Sequence, residues 1–305
     1  MKKRNYKRIG AMAMAAVMAV SMVPTSVWAA GPLVKVAVYV NNYSGSVRSE
    51  NFNDNWKFYL GDASGAEEPG FNDSSWTQVN LPHDYSIEQD YTTSGEAESG
   101  YLPGGTGWYR KNFTIDSSAA GKEIRIDFGG VYMNSTVWVN GHEVGSHPYG
   151  YTPFSFDISD YVNYGGDNVI TVKVNHQTPS SRWYSGSGIY RSVDLTITDP
   201  VHVDLNGTKI ETPNLEEEAG GTVNTDISTT IANDSAEAQS VTLTHTVFPK
   251  DGDVEDSIGT VTTEAVEVAA GASADIDATV QVNAPELWST DNPALYTAVS
   301  YTHLR

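Results

Sequence analysis

The side chains best placed to do chemistry stand just ahead of two glycines. Arg182, Trp183 and Tyr184 precede Gly186 and Gly188, and Asp84 follows Pro82 and His83 far upstream. A guanidinium donates paired hydrogen bonds, a carboxylate accepts them, and aromatic rings cover apolar faces. Together these groups suit a ligand with many hydroxyls and some C–H surface, which is the chemistry of a sugar. Gly186 and Gly188 can take backbone angles closed to other residues, as a display loop requires. A second reading stays open: a glycine-rich corner whose aromatics fill a local core, with Asp84 capping the backbone after the Pro82 turn.

Other chemistries find no support. The seven histidines are His83, His142, His147, His176, His202, His245 and His303, and no two have the i, i+4 spacing of a zinc-binding helix. No stretch matches Gly-x-Ser-x-Gly. Gly105-Thr106-Gly107 starts like a dinucleotide fingerprint, but Arg110 stands where its third glycine belongs. Carboxylates are so numerous that finding two together means little, and nothing nominates the pair a glycosidase needs. The chain has no cysteine, which rules out thiolate metal sites, cysteine nucleophiles and disulfides. The sequence therefore nominates no catalytic residue, metal site or cofactor.

The elements that position these groups begin after a leader. Lys2, Lys3, Arg4, Lys7 and Arg8 precede an apolar run over residues 9–23, and Val27-Trp28-Ala29 offers a cleavage site. Residues 1–29 are thus expected to be a secretory signal peptide, leaving no membrane span after cleavage. Removing its five basic residues leaves 13 Lys and Arg against 38 Asp and Glu, a formal charge near −25. Such a surface disfavours nucleic acid and anionic membranes as partners. Export without disulfides points to a secreted or cell-surface protein of bacterial origin.

Residues 33–40 read as a strand or tether, and residues 30–50 as a linker. Residues 51–199 hold short alternating segments at 108–115, 123–128, 136–140, 154–158 and 168–175, each bounded by Gly, Pro, Asn or Asp. They predict an antiparallel β-sandwich. Asn140-Gly141 lies between alternating apolar residues and specifies a hairpin, because a type I′ turn needs positive φ at both positions. Trp138, on that alternating strand, is expected in the core. From residue 200 aromatics thin out, and segments at 223–231, 241–248, 261–268, 274–282 and 294–299 predict a second, smaller sandwich. Leu243 and Val247 are its candidate core residues. The fold class is therefore all-β.

A resemblance sharpens this reading. The stretch 76–84, Trp-Thr-Gln-Val-Asn-Leu-Pro-His-Asp, resembles the entry motif of the N-terminal domain of glycoside hydrolase family 2. Residues 107–113, 128–131 with 135–141, 145–158 and 181–195 are similar to its later motifs, in the family's order. The resemblance implies a galactose-binding-like jelly roll over 51–199 and an immunoglobulin-like domain over 200–300. In the family a third domain, a (β/α)₈ barrel, carries both catalytic glutamates, and no position here matches either. The expectation is therefore an incomplete immunoglobulin-like sandwich, a fragment inactive on its own, and the missing barrel as one partner. Residues 299–305 resemble a translated sequencing adapter and are expected to be foreign to the protein. The expected whole is an exported retaining β-glycosidase, most similar in its closing motif to the β-galactosidases, with a carbohydrate substrate. Asp84, Arg182, Trp183 and Tyr184 would help wall the subsite for the terminal sugar. The alternative is a non-catalytic carbohydrate-binding module or surface adhesin, and sequence encoding a barrel downstream would separate the two.

Overall fold

A computed structural model of the chain describes residues 41–43, 48–213, 215–218 and 220–304. The leader expected over 1–29 and the segment 33–40 lie outside them. The described residues are β-rich, and none of their helices is long and apolar enough to cross a membrane.

The first sandwich uses β1 (Asn41–Tyr43), β2 (Ser49–Asn51), β3 (Trp56–Leu60), β4 (Thr77–Val79), β5 (Gly105–Ile115), β6 (Glu123–Phe128), β7 (Ser135–Val139), β8 (His142–His147), β9 (Phe154–Asp157), β10 (Asp167–His176) and β11 (Val193–Thr198). One sheet runs β4-β3-β5-β10-β7-β8 with β1 also on β5; the other runs β2-β11-β6-β9. This is the expected jelly-roll architecture of two facing sheets. Period-two alternation fills the space between them: Tyr109 and Phe113 of β5, Ile124 and Ile126 of β6, Val137 and Val139 of β7, and Val193 and Leu195 of β11 are all buried. Each such aliphatic or aromatic side chain contributes about 1.5–3 kcal/mol by leaving water.

The linker expected over 30–50 is corrected at its end. Residues 41–43 pair in parallel with β5, and residues 49–51 pair with β11. Burial of Tyr43 against Phe52 and Phe113 explains why this stretch joins the sheet. Lys111 ties it down: its ammonium donates to Tyr43 Oη at 3.0 Å and to the carbonyls of Phe52 and Asp54 at 2.9 and 2.8 Å.

Trp138 is also corrected. Val137 and Val139 take the core face, so Trp138 points outward, half-buried, and stacks on Trp108 at 5.7 Å. That outer face of β5 is itself covered. Trp108 packs with Ala66 and Trp76, while buried Arg110 donates to Asp73 at 3.1 Å and Thr171 at 3.0 Å. The Asn140-Gly141 turn forms as read, with φ of 52° and 84°.

The second sandwich comprises β12 (Val201–Glu211), β13 (Thr222–Asn233), β14 (Gln239–Pro249), β15 (Gly259–Thr262), β16 (Val266–Val268), β17 (Ala272–Asn283) and β18 (Tyr296–Leu304). Its sheets are β12-β13-β17 and β15-β14-β16, with β18 on the free side of β14. The strand expected over 261–268 is interrupted: Leu243 N donates to Thr263 Oγ1 at 3.0 Å, a side chain standing in for the ladder. Leu243 and Val247 are buried as read. Residues 299–304, expected to be foreign, sit in register opposite 241–246, and Ser300 Oγ lies 2.8 Å from buried His245 Nδ1.

Candidate sugar-facing site

The loop between β10 and β11 brings the predicted residues to one end of the first sandwich. It is clamped from below. His83 N donates to Ile189 O at 2.8 Å, Tyr85 N to Ser187 O at 3.1 Å, and Tyr132 and Gly188 exchange two backbone bonds of 2.9 Å. Gly186 and Gly188 have φ of 74° and 106°. A Cβ at 186 would stand 2.8 Å from Asp84 Oδ2, and one at 188 would run into the Tyr109 hydroxyl. Both glycines are therefore required by close approach as well as by angle.

Asp84 is half-buried and its carboxylate is occupied. Oδ1 accepts from the backbone N–H of Ser86 and of Ser187, both at 2.9 Å. Oδ2 accepts from the Tyr184 hydroxyl in a short bond. Asp84 is thus both the backbone cap of the simpler reading and the anchor of the display loop. Burial, then the Asp84 bond and charge, hold the Tyr184 phenol well above its usual pKa.

A buried chain of hydroxyls and one imidazole stiffens the loop's base. Ser86 Oγ donates to Pro103 O at 2.8 Å, so it must accept from Ser187 Oγ, 2.5 Å away. Ser187 Oγ therefore accepts from His176 Nδ1, also at 2.5 Å. His176 Nε2 then accepts from Ser180 Oγ at 3.0 Å, and Tyr132 Oη donates to Ser180 at 3.1 Å. Every bond points one way only if the ring is neutral with its proton on Nδ1. Burial lowers its pKa, in the same direction.

Above this base the aromatics are exposed. Trp183 is 59% and Tyr184 42% accessible. Trp183 Nε1 donates to Tyr151 Oη at 2.9 Å, which fixes the indole while leaving its face open. Tyr149, 56% accessible, stands edge-on to Tyr151 at 5.6 Å. Arg182 is exposed and makes no hydrogen bond or ion pair among the described residues. Of the four predicted residues, Asp84 and Tyr184 are bonded to each other, Trp183 continues the surface, and Arg182 flanks it. Tyr149, Tyr151, His176 and Ser187 belong to the same assembly. Sequence spacing did not connect them, since the chain brings them together only through the β8–β9 loop, the end of β10 and the β10–β11 loop.

The arrangement can bind. It offers pinned aromatic faces and the exposed Arg182 guanidinium, but among the described residues no nucleophile with an adjacent base open to a ligand. Comparisons with known proteins show the family. Residues 49–200 match the sugar binding domain of glycosyl hydrolases family 2, and residues 202–302 match a further domain of the same family. The chain belongs to glycoside hydrolase family 2. It is 41% identical over 253 residues to a beta-galactosidase of Bacteroides ovatus, covering 82% of this chain and 29% of that protein. A beta-glucuronidase of Formosa agariphila is 28% identical, covering 82% of this chain and 27% of its own length. The crystal structure of a family 2 member from Bacteroides cellulosilyticus superposes with a TM-score of 0.80 at 37% identity, over 84% of this chain and 33% of that one. The chain thus spans about a third or less of these relatives, at their N-terminal side.

Proposed function

We propose that these residues are the sugar-facing and scaffold domains of an exported β-glycosidase that releases terminal β-linked galactose. The observation that carries this reading is the loop bearing Trp183 and Tyr184, pinned to Asp84 and Tyr151, in a chain 41% identical to a beta-galactosidase across both sandwiches. Asp84, Arg182, Trp183 and Tyr184 line one wall of the terminal-sugar subsite, and a barrel supplies the retaining carboxylate pair. The leader directs the protein out of the cell.

One experiment tests the division of labour. The chain is expressed with its leader in a bacterial host, and the secreted product is sequenced and assayed. It should begin at Ala30 or Gly31 and hydrolyse none of the nitrophenyl β-galactoside, β-glucuronide or β-mannoside above a boiled control. Turnover would place catalytic carboxylates in these two domains and overturn the reading. A retained Met1 would remove the case for export.

A further inference from the structure

The two sandwiches meet where β11 passes into β12, and the start of β12 carries a buried histidine. His202 Nε2 lies 2.7 Å from Glu123 Oε2 on β6 of the first sandwich. Its Nδ1 lies 3.0 Å from the carbonyl oxygen of Asp199. An ionised carboxylate and a peptide carbonyl only accept hydrogen bonds. A neutral imidazole has one N–H and can serve one of them; an imidazolium serves both. Glu123 is held ionised, first by the bond from His202 and also by the His202 and Arg125 charges, against its own burial.

We infer that His202 is a proton-held latch between the sandwiches: its imidazolium clamps Glu123 to the Asp199 turn, and loss of the proton loosens the junction. The surrounding charges favour this state. Asp234, after β13, places a carboxylate oxygen 3.9 Å from Nδ1, and its amide donates to Pro200 O at 2.8 Å. Asp204 from β12, and Asp157 and Asp160 from the first sandwich, line the same cleft of about 640 Å³, as does the Tyr164 phenol. The nearby cations have partners of their own. Lys122 pairs with Asp199 at 3.1 Å, and Arg125 with Glu123 and Asp127 at 3.3 and 2.8 Å. Arg48 donates across the junction to Val203 O at 2.5 Å. Burial opposes the charged ring, but the Glu123 bond and charge, the Asp199 carbonyl and the Asp234 charge outweigh it, and the net shift is upward. Glu123, His202 and Asp234 stand close enough together to suggest a cation site. In the protonated state inferred for His202, neither ring nitrogen keeps a lone pair for a cation, so the latch and a cation would exclude each other.

The direction follows from linkage. A histidine whose folded pKa lies above its unfolded value stabilises fully below the unfolded value of 6.5 and stops doing so as pH rises through the folded one. Each unit of elevation is about a tenfold preference for the closed junction.

The test is a histidine-labelled NMR titration of the whole chain, read with hydrogen exchange at the Asp234 amide. His202 should titrate above 6.5, with both ring nitrogens protonated below that transition. Exchange at Asp234, corrected for intrinsic base catalysis, should then quicken by about tenfold per unit of elevation. Glu123→Gln keeps an acceptor but removes the charge, so it should lower the His202 pKa and flatten that step. Titration of His202 at or below 6.5, or an unchanged step in Glu123→Gln, would overturn the latch. If the variant does not fold, the wild-type titration alone decides.

Discussion

Asp84 is committed to its own loop before any ligand arrives. Two backbone N–H groups and one phenol converge on it. Hydrogen bonds to an ionised group are worth about 1.5–3 kcal/mol when buried, and less at a half-exposed position such as this. Asp84→Asn keeps one acceptor oxygen but puts an NH₂ where Tyr184 needs an acceptor. It should cost about 1–2 kcal/mol in urea unfolding, and Tyr184→Phe, which spares both backbone bonds, less. Equal losses would mean that the phenol, and not the backbone cap, carries the anchor. Residue types alone pointed to Asp84 and to the 182–184 group. They could not reveal that Asp84 and Tyr184 are partners, because that contact exists only once the two segments fold side by side.

At the scale of elements, the His176 chain gives the site its pH dependence. A neutral ring lets the chain of hydroxyls run unbroken in one direction, and burial lowers the ring's pKa below the usual 6.5. Its contribution is therefore complete above that value and is lost as pH falls through it toward the folded pKa. His202 has the opposite sign, so the two must be separated by mutation. Between neutral pH and about pH 5, wild type should lose more stability than His176→Gln, whose amide is uncharged throughout. A loss of the same size in both would remove His176 as the cause. Elements were legible where local chemistry decides them. Asn140-Gly141 accepts positive φ at little cost, and the turn formed. Burial alternation misled at Trp138, because a strand's two faces can both be covered and sequence does not say which face meets the larger core. The end of the segment 30–50 read as linker because the polar run around Tyr43 hides one buried ring. The gap between β15 and β16 depends on the Thr263 side chain replacing a ladder bond, which propensity cannot foresee.

For the whole molecule, two sandwiches joined by charged contacts leave one aromatic end of the first exposed, the surface proposed to face a sugar. The architecture was readable because alternation with turn signals, repeated along both halves, leaves few alternatives to antiparallel sandwiches. The site was readable only as candidates, since its aromatic partners come from distant loops. Another apolar surface offers a contrast. A groove of about 280 Å³ on the second sandwich is lined by Ile210, Leu287, Trp288, Leu295 and Tyr296. The central claim is that the loop at 182–187 faces the sugar. The most direct measurement is an amide NMR titration of the chain with methyl β-galactoside. The account predicts shifts confined to residues 84–86, 149–151 and 182–187, strongly reduced in Trp183→Ala. Absence of shifts there, or shifts centred on the groove at Trp288, would contradict it.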